Sequence, residues 1–124
     1  MKFSRFDSQT LAEKGVDAEI PDPITGEPSG LILTLLGADS KVYQSCLEEI
    51  LSRNKARGIN NLRQEDLCEL FARCTIGWKG AEEDDGSEAK FSQEAAKEKY
   101  LKLPYLATFV GNFITTRKNY FPKP

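Results

Sequence analysis

The sequence predicts a mainly α-helical α+β domain, with four or so amphipathic helices and one or two small β-hairpins. Two apolar stripes at helical spacing carry the helical part of that expectation. Val42, Tyr43, Cys46, Leu47, Ile50 and Leu51 form one; Tyr105, Leu106, Phe109, Val110, Phe113 and Ile114 form the other. The strand part rests on two signals. Val16, Ala18 and Ile20 alternate with Asp17 and Glu19 ahead of an apolar run at 31–36, and Asp85-Gly86 offers a hairpin turn between segments 78–83 and 87–91.

Taken in order, residues 1–15 carry Phe3 and Phe6 beside Lys2 and Arg5 without a sustained period. They are either a short helix starting near Asp7 or a flexible arm. Residues 16–20 and 31–36 are expected to pair as an N-terminal hairpin across a loop that Pro21, Pro23 and Pro28 keep from becoming helix. Asp39-Ser40 is a good start for a helix that Gly58 ends, with Arg53, Lys55 and Arg57 offsetting the negative end of its dipole. Asn61 and Gln64 resemble a capping box for a second helix running toward Ile76. Leu67, Leu70, Phe71 and Cys74 would form its inner face, Trp78 would follow on the same line, and Cys68 would lie off it. Gly77 and Gly80 bracket Trp78, the only tryptophan, and are expected to stop that helix and hold the turn. Ser92 caps a third, highly charged helix that Pro104 interrupts. A last helix covers about 105–118, and 119–124 form a flexible tail carrying Tyr120 and Phe121.

With 124 residues the chain is expected to be a single domain, 1–124, with a modest core. Its apolar runs are far shorter than a bilayer needs, so no membrane association and a cytoplasmic location are expected. A net charge of -2 with scattered basic residues gives no cationic footprint for nucleic acid.

Catalytic chemistry finds little to use. There is no histidine to act as base or ligand, and Ser45 and Cys46 have nothing to activate them. Cys46, Cys68 and Cys74 lack metal-ligand spacing and are expected to be buried free thiols. The acidic run 82–85 fails the calcium-loop register, because Ala81 and Ser92 would occupy the first and twelfth positions. Glycines 26 and 30 lack the Lys-Ser or Lys-Thr that a phosphate loop requires. No catalytic, cofactor or metal residue is therefore assigned. Two apolar stripes each about half a helix circumference wide exceed what one small core needs, which points to an interaction protein; the alternative is that the hairpins cover both stripes. Val42, Cys46, Ile50, Leu106, Phe109 and Phe113 are expected inside. Tyr43, Leu47, Leu51, Val110 and Ile114, with Tyr120 and Phe121 of the tail, are the candidate subunit or partner contacts.

Three segments carry a family resemblance: Glu19-Ile-Pro-Asp-Pro-Ile-Thr-Gly-Glu27, Ile76-Gly-Trp-Lys-Gly80 with its acidic turn and Phe91-Ser92, and Tyr100-Leu101 with Pro104 ahead of the terminal helix. From about Val16 onward the chain resembles the tail assembly chaperones of long, noncontractile-tailed bacteriophages, in their short, non-frameshifted form. The resemblance implies a non-enzymatic late protein of the host cytoplasm, absent from the mature virion. Such a protein coats the tape measure protein as a homo-oligomer, keeps it soluble, and reaches the tail tube protein indirectly through a longer product of ribosomal frameshifting. A ring-forming head-tail connector or completion protein, and a cytoplasmic regulatory adaptor, are the alternatives.

Overall fold

The computed structural model describes residues 1–122. A three-stranded antiparallel sheet, order β1-β2-β3, packs one face against helices: β1 Val16–Pro21, β2 Pro28–Leu35 and β3 Thr75–Lys79. The helices are α1 Ser8–Lys14, α2 Lys41–Ala56, α3 Gln64–Arg73, α4 Gln93–Lys102 and α5 Pro104–Thr115, with 3-10 turns at Phe3–Phe6 and Arg117–Asn119. The fold is α+β, as the sequence predicts.

Local chemistry sets most boundaries. The Asp7, Ser40 and Ser92 side chains accept from the N–H groups of Thr10, Tyr43 and Ala95, capping α1, α2 and α4. Proline at the first position opens α5, where its missing N–H costs nothing. The expected hairpin forms, with Val16 opposite Leu35 and Ala18 opposite Leu33. Its loop is tied by Asp22, whose Oδ1 accepts from the Ile24 and Thr25 N–H groups.

Three boundaries differ from expectation. Helix α3 begins at Gln64, where the Arg63 N–H donates to the Asp66 carboxylate at 3.0 Å, so the capping residues lie two positions after Asn61 and Gln64. It ends at Arg73, and 75–79 turn into β3. The apolar strand β2 has a second edge to satisfy, and the β-branched and aromatic residues Thr75, Ile76 and Trp78 suit that pairing better than another helical turn. Trp78 therefore stands opposite Leu33 in the sheet. Since Trp78 and Lys79 are taken by β2, the expected 78–83/87–91 ribbon shrinks to one bridge between Glu82 and Glu88.

The core lies between the sheet and α3, α4 and α5, built on Leu33, Leu35, Cys68, Ala72, Tyr100, Val110 and Ile114. A second cluster, Cys46, Ile50 and Leu70, joins the other side of α3 to α2. Helix α3 thus serves two interfaces, and Cys68, expected off its inner face, is fully buried on the sheet side. Gly111 lets α5 approach α3, because a Cβ there would sit 2.7 Å from the Phe71 ring.

Candidate interaction surfaces

On α2 the packing splits the apolar stripe. Cys46 and Ile50 are buried as expected, whereas Val42, expected inside, is 39% exposed because α3 covers only the later turns. Tyr43, Leu47 and Leu51 recur every fourth residue along the neighbouring edge. The first two are half-buried, and Leu51 is 45% exposed. Tyr43 and Leu47 rest their inner sides on the core clusters, and the outer side of the edge, with Leu51, faces solvent among the described residues.

Helix α5 is rotated relative to the expected contact assignment. Val110 and Ile114 are buried in the core and are no surface contacts of the folded chain. Leu106, Phe109 and Phe113 flank that core half-buried. The rotation follows from the small residues Ala107 and Gly111, which bring the helix axis close to its neighbours and carry Val110 and Ile114 inward with them. Tyr120 also departs from expectation. It is buried beside Gly37, where an added Cβ would lie 3.1 Å from its ring, and packs edge-on against Phe113 with ring centres 5.8 Å apart. Arg117 holds the same segment by a two-pronged pair with Asp39, at 2.7 and 3.0 Å. The flexible-tail assignment thus fails over 119–120; Phe121 is half-buried, and residues 123 and 124 lie outside the described residues.

The second surface is a groove of about 500 Å³ at the end of the sheet where β1 finishes. Trp78, Leu33 and Tyr100 form its floor. The hairpin residues Ile20, Pro21 and Leu31 make one wall, Leu103, Tyr105 and Leu106 the other, and Glu82 and Asp84 stand at the rim. The Tyr105 hydroxyl donates to the Pro21 carbonyl at 3.2 Å and links the two walls. Trp78 is held by its indole N–H, which donates to the Ala89 carbonyl at 2.8 Å, and by the edge of Phe91 at 5.1 Å. Gly80 is required where the chain leaves β3: its φ is +70°, and an added Cβ would collide with the Gly30 carbonyl. Gly77 has open space around it and lies on the outer sheet face, so it does not terminate a helix.

No pairwise signal in the sequence pointed to Leu103 and Tyr105 as groove residues. The groove unites three distant stretches, around Pro21, Trp78 and Pro104, which become neighbours only through the sheet pairing and the α4–α5 break.

The ionisable groups carry structural duties. Burial pushes the thiols of Cys46 and Cys68 up and that of Cys74 up to about 12, the reverse of an activated nucleophile. Burial likewise pushes Tyr100 up to about 12, and its hydroxyl lies 2.7 Å from that of Thr75. Asp7, Asp22 and Asp85 are lowered chiefly by hydrogen bonds from Thr10, Thr25 and Ser87, and Asp39 by Arg117. Each of these carboxyl shifts has a cap, turn or ion pair as its cause.

Asp66 is the extreme case. Arg63, through its side chain and backbone, and Asn54 hold its carboxyl far below the usual range. Arg53 adds a bond at 3.3 Å and also grips Glu69. The group joins the end of α2 to the start of α3.

Among the described residues, no helix is long and apolar enough to cross a membrane, and no group of three or more His, Cys, Asp or Glu is placed to hold a metal ion. Compared with family models, curated proteins and solved structures, the chain matches none.

Proposed function

We propose that this chain is a non-enzymatic tail assembly chaperone of a long, noncontractile-tailed bacteriophage. In this role it coats the tape measure protein in the host cytoplasm, keeps it soluble, and leaves as the tail tube forms. The observation that carries the proposal is the open apolar edge of α2, where Leu51 is 45% exposed and Tyr43 and Leu47 half-exposed beside a fully buried Cys46 and Ile50. Apolar positions at i, i+4 and i+8 suit a long amphipathic helix laid alongside, since that partner buries its own stripe against such a line. The tape measure protein, long and largely helical in the family resembled, supplies that surface. The upward-shifted thiols and the structural causes of the carboxyl shifts favour binding over catalysis.

Co-expression with the candidate tape measure protein tests the proposal. The expected result is a tape measure protein that becomes soluble only in a large stoichiometric complex with this chain, seen by size exclusion with light scattering. A tape measure protein that still aggregates while this chain elutes alone would overturn it.

A further inference from the structure

The first six residues place apolar surface in water without any evident use. Phe3 is 93% exposed and Phe6 65%, and they stand three residues apart in a 3-10 turn, so their rings leave it on the same side. Lys2 and Arg5 have the same spacing and form a basic flank. The groove over Trp78 has the complementary character: an apolar trough whose charged lining is Glu82, Asp84 and Lys99, the lysine being paired with Glu83 at 3.2 Å and leaving the two carboxylates to face an incoming cation. Its volume of about 500 Å³ falls within the range of pockets that bury compact apolar groups.

The two features lie at opposite ends of the molecule. The arm is rooted at Asp7, which caps α1, and α1 lies beside the end of α5: the Gly37 N–H donates to the Ala12 carbonyl and the next N–H, of Ala38, to the Ile114 carbonyl. The groove opens at the start of α5, at Leu103 and Tyr105. From Tyr105 to Arg117 a helix rises about 18 Å, at about 1.5 Å per residue. A four-residue 3-10 turn spans only about 8 Å, at about 2 Å per residue. While it keeps this turn the arm falls short of its own groove, so the groove it can fill is that of a second copy.

We propose that the residue 1–6 arm of one copy docks in the groove of the next, with Phe3 and Phe6 against Trp78 and Leu103 and with Lys2 and Arg5 facing Glu82 and Asp84. Such a contact is head-to-tail, so it propagates into a ring if the rotation closes and into an open spiral if it does not. Either shape surrounds an elongated partner. The purpose of the assembly rests on the chaperone reading; the contact is tested without the tape measure protein, so either can fail alone.

The test uses the full chain in three forms: wild type, an arm variant (Phe3→Ser with Phe6→Ser) and a groove variant (Leu103→Lys with Asp84→Lys). All four positions are exposed, and far-UV circular dichroism and thermal melts establish that both variants fold. In light scattering up to millimolar concentration, wild type is expected to grow into multimers while each variant associates at least tenfold more weakly. Mixing the variants restores one intact arm and one intact groove per pair. Discrete 1:1 dimers are expected, with a blue shift in the fluorescence of Trp78, the only tryptophan. A monomeric wild type, variants that assemble as wild type does, or a mixture that stays monomeric would each overturn the proposal.

Discussion

Replacing Asp66 by asparagine removes one charge from the joint between α2 and α3 and leaves the shape almost unchanged. The carboxylate is fully covered, and Oδ2 accepts from the Arg63 N–H, the Arg63 Nε–H and the Asn54 amide at 3.0, 3.2 and 2.8 Å. Oδ1 accepts from Arg63 and Arg53, both at 3.3 Å. An asparagine has one acceptor oxygen, so its amide must face donors at the second position. Losing one partner of a buried pair costs about 3–5 kcal/mol, and losing a cap about 1 kcal/mol. Arg53 is about one-third exposed and rehydrates in part, which places the expected loss near the low end, at about 3 kcal/mol. For a domain of this size that lowers Tm by about 12 °C, at about 4 °C per kcal/mol.

The pH dependence has a definite sign. The Asp66 pKa is depressed on folding, so its contribution is fully present above the unfolded value of about 3.9 and fades as pH falls through the folded value. Urea titrations of wild type and Asp66→Asn should differ by a constant amount from pH 5 to 8 and converge steadily below about pH 4. A difference under about 1 kcal/mol at neutral pH, or one that does not shrink in acid, would refute this account of the joint.

Three further outcomes follow from the packing. Gly80→Ala meets both a positive φ and the Gly30 carbonyl, and should cost more than about 2 kcal/mol in chemical denaturation; a neutral result would mean the strand exit is placed wrongly. Ile114→Glu buries an unpaired carboxylate at a position only 1% exposed, so expression should yield insoluble or unfolded protein, and a native melt would contradict the assignment of α5 to the core. The three buried thiols should resist an aromatic disulfide reagent at pH 8 until denaturant is added, and stoichiometric reaction of the native protein within seconds would refute their burial.

Much of the fold was legible because the relevant signals are local. A serine three residues ahead of a helical N–H announces its own cap, as at Ser40 and Ser92, and period-two alternation at 16–20 finds the apolar run at 31–36 across a proline loop. What the sequence did not disclose depends on distant partners. Residues 75–79 form a strand because β2 has an unsatisfied edge forty or more positions earlier. Asp66, reaching back to Arg63, caps α3 in place of Gln64 reaching back to Asn61, because Asn54 and Arg53 of α2 also bond to it. The core face of α5 is centred by Ala107 and Gly111, which pattern reading undervalues against Phe109 and Phe113, so Val110 and Ile114 were placed on the wrong side. The candidate surfaces divide likewise: the α2 edge at Tyr43, Leu47 and Leu51 follows from one helix, whereas the groove requires three segments to meet.

The central claim is that this open α2 edge receives the elongated partner, and Leu51→Glu tests it most directly. Leu51 is 45% exposed, so the variant should keep the wild-type Tm to within a few degrees. Co-expressed with the tape measure protein, wild type should hold the partner in solution while Leu51→Glu leaves most of it in the pellet. Equal amounts of soluble partner with both forms would contradict the account.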